Sequence, residues 1–221
     1  MKSFLKKFFL ILFLVIFIAV AYFVYLNKQA DSISKGEQIP RYDSVKSALF
    51  VVDIQEATTG KVSITDEYIQ QSDSLIEKIN NIIKHSENKN IPIIYIYTET
   101  DSWFIHLLNN TMKKGSIGTQ IDSRLLRVSD YILPKEKKDA FSNPSLDIIL
   151  RKNEISRLYI VGLDAAYCVK NTISAALNRG FEVLVIEDAL ISETKALKEE
   201  MIQYFKNNGV KIIRTFEYYG D

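Results

Sequence analysis

The sequence predicts an α/β protein: a three-layer, doubly wound, mostly parallel sheet of six strands, preceded by one N-terminal transmembrane helix. Three observations carry this expectation. The chain opens on a long uncharged apolar run. Beyond residue 45, short β-branched or aromatic runs alternate with stretches of helical periodicity. Two of those stretches stop at a glycine, Gly180 and Gly209, the residue that most readily takes the left-handed conformation after a helix. Such alternation implies parallel strands joined by right-handed crossovers, with helices on both faces.

The N-terminal run has no charge, proline or glycine from Phe8 to Leu26. As a helix it spans roughly 28 Å, close to the hydrocarbon thickness of a bilayer. Lys2, Lys6 and Lys7 precede it, whereas Lys28, Asp31, Lys35 and Glu37 mix signs behind it. The positive-inside bias then leaves the N-terminus in the cytoplasm and the rest outside, as a single-pass protein. Tyr22 and Tyr25 fit an interfacial aromatic belt. A cleaved signal peptide is the rival reading, with Ala19-Val20-Ala21 as the cleavage site, but Tyr22–Leu26 continue the apolar run past it. The expected organisation is an anchor (or signal peptide) over 1–28, a polar tether over 29–44 and a soluble domain over 45–221.

Within that domain, residues 47–54 form a continuous apolar run, as expected of a strand covered on both faces. Residues 66–90 carry Ile69, Leu75, Ile76, Ile79, Ile82 and Ile83 at helical spacing. A second strand is expected over 91–99, a short helix over 119–126 and a short strand over 130–133. Asn143 and Pro144 stand in cap and first-turn positions of a helix to 153. The fourth strand covers 157–163, a helix follows from Cys168 to Gly180, and the fifth strand covers 181–188. A last helix and a sixth strand, 210–215, complete the pattern.

Composition narrows the function. Twenty-eight basic and 27 acidic residues leave a net charge of +1, which gives no reason to expect a nucleic-acid partner. One cysteine excludes an intrachain disulfide and a cysteine-rich zinc site, and two histidines leave little for a histidine-based one. An unpaired cysteine also suits the oxidising side of a membrane.

In doubly wound sheets, ligands bind beyond the carboxyl ends of the strands. The chemically useful residues there are Asp53 after the first strand, Lys135 after the third, Cys168 after the fourth and Asp188 after the fifth. Each has an ordinary structural reading: a small buried hydrophobe for the cysteine, a turn cap for an aspartate, a solvated patch for Lys135 within Lys-Glu-Lys-Lys. Together, Asp53, Lys135 and Cys168 offer a carboxylate, an ammonium and a thiol. The start of a helix and a nearby lysine both lower a thiol pKa, so the expectation is an acidified nucleophile. The carboxylate serves as proton acceptor, and backbone N–H groups at the helix start hold an oxyanion.

Residues 45–216 resemble the isochorismatase-like cysteine hydrolases, the family of nicotinamidases, N-carbamoylsarcosine amidases and ureidoacrylate amidases. The resemblance lies in ALFVVDIQ (48–55), in KGSIGTQIDSRLL, in KEKKDAFSNPSLDIIL and, most specifically, in IVGLDAAYCVKNTISAALNRGFEVLVIEDA. It implies Asp53 as general base, Cys168 as nucleophile and Lys135, six residues before Phe141, as third member. It further implies a cis bond between Leu163 and Asp164, with the oxyanion held there and at Cys168. Attack on a small amide or ureide would release ammonia or an amine and leave a thioester for hydrolysis. Pocket candidates are Gln55, Trp103, Phe104, Phe141 and Tyr167. The chain departs from the family at Ala165, where Thr is common, and at Asp164, where a small apolar residue is common and where an acid opposes thiolate formation unless it points away. It lacks the Asp-x-His metal motif of nicotinamidases: Asp101 and His106 are five apart, so no metal and no cofactor is expected. His85 reads as solvated. Family members commonly form dimers or larger assemblies, which leaves a homo-oligomer open. A non-catalytic binding module tethered to the membrane, or a hydrolase of another bond, remains the alternative.

Overall fold

A central strand covered on both faces must be apolar at every position, and β1 (Lys46–Val52) shows the consequence. Ala48, Phe50 and Val52 enter one core, Leu49 and Val51 the other, following the two-residue period of a strand. Full burial of each large side chain contributes about 1.5–3 kcal/mol. The computed structural model describes residues 2–220, without the side chains of Lys2, Ser3, Phe104, Ile105 and Leu108. Strands β2 (Ile93–Thr98), β3 (Ile132–Lys135), β4 (Ile155–Gly162), β5 (Glu182–Leu190) and β6 (Lys211–Ile213) complete one sheet. All pairs are parallel, in the order β3-β2-β1-β4-β5-β6. The direction of winding reverses between β1 and β4, where a crevice opens beyond the strand ends. Pro134 lies in β3, an edge strand, where a missing N–H is tolerated.

Gly162 ends β4 beside Val52. Its φ is +116°, and a Cβ there would sit 2.1 Å from the Val52 carbonyl oxygen. Only glycine allows the two central strands to approach this closely at the crevice.

Helices α2 (Asp66–Asn88) and α7 (Thr215–Gly220) cover one face of the sheet, with Ile79, Ile82, Ile83 and Tyr218 in its core. Helices α4 (Pro144–Lys152), α5 (Lys170–Asn178) and α6 (Lys195–Asn207) cover the other, through Leu146, Leu150, Ile173, Met201 and Phe205. The short α3 (Trp103–Leu108) follows β2 and carries His106, while Asp101 lies just ahead of it; α7 was not expected. The helix expected over 119–126 is absent. Gln55 and Ile121 form an antiparallel bridge, and the Asp122 carboxylate accepts from Arg124 N (3.0 Å) and Nε (3.0 Å). An aspartate that bonds to the backbone two residues on favours a turn over a helix.

The N-terminal helix α1 (Lys2–Ala30) stands clear of the domain over most of its length. Phe4–Ala30 is long and apolar enough to cross a membrane, its most apolar 18-residue stretch having a mean hydropathy of 3.0. The tether behind it is not loose. Ser34 N donates to Asp139 (2.7 Å), and Ser34 O accepts from the buried Arg179 (3.2 Å). Ile39 N donates to Arg179 O (2.8 Å), and Gln38 Nε2 to Asn178 O (2.7 Å). Arg179 is itself held by a bidentate pair with Asp147 at 2.8 and 3.1 Å. This polar segment follows α5 because its backbone groups find partners there.

Candidate active site

Three strand ends deliver three side chains to one point. Asp53 follows β1 with φ +53°, in the left-handed region that aspartate tolerates better than most residues. Its N–H donates to Ile96 O (2.8 Å), and Thr58 Oγ1 donates to its carbonyl (2.5 Å), so the bend is fixed from both sides. Lys135 ends β3, two strands away. Strands sit about 4.8 Å apart, so the gap from β3 to β1 is roughly 10 Å, which a lysine can bridge only when extended across β2. Its side chain is buried, and Nζ uses all three donors: to Asp53 Oδ2 (2.9 Å), Thr98 Oγ1 (2.5 Å) and Cys168 Sγ (3.1 Å).

Thr98, at the end of β2, fills the space between. Its hydroxyl accepts from Lys135 and donates to Asp53 Oδ1 (3.0 Å). The expectation had passed over this residue. The strand-end rule that selected Asp53 and Lys135 points equally to the end of β2, and a threonine hydroxyl both donates and accepts, as this position requires.

Cys168 lies in a π-helical turn, Ala165–Val169, that runs directly into α5. The residue is partly exposed. The expected acidification is not what the surroundings produce. Burial pushes the thiol up and the adjacent Asp53 carboxylate adds to the rise. Lys135 pulls down, and the balance stands at about 12. Burial likewise pulls the Lys135 ammonium down, but Asp53 and Cys168 outweigh it and the net direction is upward. Both directions favour a charged Lys135 ammonium beside a neutral thiol.

The Leu163–Asp164 peptide is cis. The N–H of that peptide, on Asp164, has no acceptor among the described residues, whereas the next one, Ala165 N, donates to Ile191 O (3.0 Å). The Asp164 carboxylate is committed elsewhere. Oδ1 accepts from Ala166 N (2.6 Å) and the Ser192 hydroxyl (2.7 Å), and Oδ2 from Tyr68 (2.9 Å) and Glu193 N (3.0 Å). This acid pins the turn that carries Cys168 to α2 and to the β5–α6 loop. Burial, reinforced by Asp164, pushes the Tyr68 phenol up, so it stays a donor.

Two of the expected pocket residues, Gln55 and Phe141, have other work. Gln55 is fully buried: its amide donates to Thr98 O (3.0 Å) and Gly118 O (2.9 Å) and accepts from Thr98 N (2.7 Å). It clamps the loops that frame the site and offers nothing to a ligand. Phe141 is a core residue, its ring 6.1 Å from Phe50, 5.8 Å from Phe181 and 4.4 Å below the Arg179 guanidinium. Trp103 lies exposed on α3, and the side chain of Phe104 is outside the described residues. Tyr167, beside Cys168, is exposed, with the Lys138 ammonium 5.0 Å from its ring centre. A cleft of about 320 Å³ opens beside Lys135, between Glu99, Lys114, Glu136 and Asn143. Asp188 accepts from Thr215 N and Oγ1 (both 2.9 Å) and so caps α7, away from the three-residue cluster.

The donor set does not fit a metal. His106 Nε2 meets Thr100 O (2.8 Å), and Asp101 and Glu99 face Lys114 at 3.7 and 3.8 Å. His85 packs its ring against Tyr218 and Tyr219, at 5.4 and 4.9 Å between centres, rather than standing in solvent.

Comparison with known proteins bears on this geometry. The isochorismatase domain profile matches residues 47–217. N-carbamoylsarcosine amidase of Arthrobacter sp. is 24% identical over 131 residues, covering 53% of this chain and half of that protein's length. A probable inactive nicotinamidase of Arabidopsis thaliana is 24% identical over 179 residues, 75% of this chain and 90% of its own. Among solved structures, N-carbamoylsarcosine amidase of Thermoplasma acidophilum superposes with a TM-score of 0.65 at 27% identity, covering 77% of this chain and 97% of its own.

Proposed function

Because the chain belongs to the isochorismatase family, we propose that it is a membrane-anchored cysteine hydrolase that cleaves the C–N bond of a small amide or ureide. One observation carries the reading: Lys135 Nζ holds the Asp53 carboxylate and the Cys168 sulfur at once, at 2.9 and 3.1 Å. No purely structural role requires a buried ammonium to bond a thiol. A raised thiol pKa is compatible with this chemistry. Losing the proton to water would leave a net charge in a buried site, but passing it to Asp53 leaves the cluster neutral overall.

In the proposed sequence, Sγ attacks the carbonyl carbon as its proton moves to Asp53. Lys135 compensates the negative charge shifting onto sulfur, and Asp164 N–H and Cys168 N–H hold the carbonyl oxygen as it gains charge. The C–N bond breaks, and Asp53 returns the proton to the departing nitrogen. Water then adds to the thioester and gives a proton to Asp53. The C–S bond breaks, and the proton returns to sulfur. Thr98 keeps Asp53 aligned throughout. Residues 1–28 act as the anchor, 29–44 as a linker strapped to the domain and 45–221 as the hydrolase, held on the extracytoplasmic side.

A screen of small amides and ureides, wild type against Cys168→Ala, tests the reading. Release of ammonia or amine by the wild type alone supports it. Binding without turnover by both proteins would favour a tethered binding module, and equal turnover by both would discard Cys168 as nucleophile.

A further inference from the structure

Where α1 ends, the candidate site begins. Ala30 O accepts from Lys138 N (3.0 Å), and Asp31 pairs with the Lys138 ammonium (2.6 Å). Asn171, near the start of α5, donates to Asp31 O (3.3 Å). The same Lys138 ammonium lies over Tyr167, the neighbour of Cys168. The anchor and the nucleophile turn thus share contacts within one loop, the loop that Lys135 begins.

Leu26, Gln29 and Ala30 line one recess with Glu136, Lys137, Thr100, Asp101 and Ser102. Helix α3 starts at the following residue, with Trp103 68% and Leu107 75% exposed. The apolar run of α1 stops at Leu26, four residues before Ala30. At the rise of a helix that distance is about 6 Å, comparable to the head-group layer beyond the hydrocarbon core. With α1 spanning a bilayer, the recess that Ala30 lines, and the start of α3 beside it, fall at head-group depth, where tryptophan is favoured. Lys113, exposed beside the Thr100–Lys113 bridge, adds a cation suited to lipid phosphates.

We propose that the site-bearing end of the domain lies face-down on the bilayer that α1 spans, with Trp103 and Leu107 of α3 seated among the lipid head groups. The inference rests on the anchor reading of α1 and is independent of the hydrolase reading. It gives the strapped tether a purpose: a short connection fixed to the Lys135–Asn143 loop holds the domain in one pose against the surface.

Trp103 is the only tryptophan in the chain, so its fluorescence reports α3 without mutation. Full-length protein is reconstituted into phosphatidylcholine vesicles with and without dibrominated acyl chains. Flotation of the vesicles in alkaline carbonate reads the anchor, and quenching of Trp103 reads the docking. The expected result is a protein that floats and loses half or more of its emission to the brominated lipid. Leu107→Asp, outside the core, should float equally and recover most of that emission. A floating wild type with equal emission in both lipids overturns the proposal. So does emission that is blue-shifted but unquenched and grows with protein density, which would put a second copy on α3. A wild type that does not float refutes the anchor reading and the docking with it, while leaving the hydrolase reading to its own test.

Discussion

Replacing Asp53 with asparagine should make Cys168 more reactive and the enzyme slower, a combination that a merely damaged site does not give. Asp53 Oδ2 and Cys168 Sγ both accept from Lys135 Nζ, at 2.9 and 3.1 Å. Two acceptors on one tetrahedral ammonium sit roughly 5 Å apart, where removing a unit charge is worth roughly 3 kcal/mol at an effective dielectric of about 20. That is about two pH units. The thiol, held at about 12 by burial and by this carboxylate, should fall to roughly 10 in the variant. Its thiolate fraction at pH 8 then rises about a hundredfold, while the lower basicity of the thiolate takes back nearly tenfold in nucleophilicity. The net expectation is about a tenfold faster alkylation by iodoacetamide. As the only cysteine, Cys168 accounts for all the label. Amide turnover should fall by about 10² to 10⁴, because the proton acceptor is gone. Labelling that slows or stays the same in a folded Asp53→Asn protein would refute the charge arrangement. Retained turnover would refute the assignment of the base.

Other perturbations follow from the same contacts. Thr98→Val removes the hydroxyl that joins Lys135 to Asp53 and strands a donor of the buried ammonium, so it should lower stability by about 1–3 kcal/mol in urea unfolding and lower kcat in the protein that remains folded. Asp164→Ala strands donors from Ala166, Ser192, Glu193 and Tyr68 and should lower stability by about 2–4 kcal/mol in urea unfolding. An undiminished midpoint would show that water replaces it. Gly162→Ala forces a Cβ to within 2.1 Å of Val52 O and should reduce soluble, folded yield, because the obstacle is backbone in the central strand pair. The thiol pKa is raised on folding. Its contribution to stability is complete below the unfolded value near 9 and is lost as pH rises toward about 12, where the folded thiol ionises. Across that window wild type should lose up to about 1 kcal/mol per pH unit more than Cys168→Ala, measured by urea unfolding. Parallel curves would contradict the raised value.

The sheet was legible because burial on both faces leaves no room for polar residues. Val51, Ile160 and Val185 each belong to a strand that meets a core above and a core below, and their runs read as uninterrupted apolar segments. Helix α2 was legible for the complementary reason, its single buried stripe recurring at helical spacing. Segment 119–126 misled because apolar residues at Ile121, Leu125 and Leu126 imitate that stripe, while the deciding contact is a single carboxylate, Asp122, folding back on Arg124. Helix α7 was invisible in the same way. Its stability comes from Tyr218, whose ring packs on Tyr159 and whose hydroxyl meets Ser86 of α2, contacts that only the assembled sheet supplies.

At the candidate site, position was readable and electrostatics was not. A strand end is a local property, so Asp53, Lys135 and Cys168 could be picked out one by one and then assembled by the geometry of parallel sheets. A pKa is a sum over neighbours, and the sequence reading counted the helix start and Lys135 against the thiol proton but left out burial and Asp53, the two largest influences. The carboxylate it had cast as proton acceptor is the group that pushes the thiol up, as any base placed close enough to take that proton must. Asp164 makes the converse point. In a linear reading it is a charge four residues from the thiol and counts against ionisation. In space it is bonded to Ala166, Ser192, Glu193 and Tyr68, which commits its charge away from the sulfur. A substituted residue beside a nucleophile is therefore evidence of lost activity only once its hydrogen-bond partners are known. Here those partners make the departure a brace for the turn that carries Cys168.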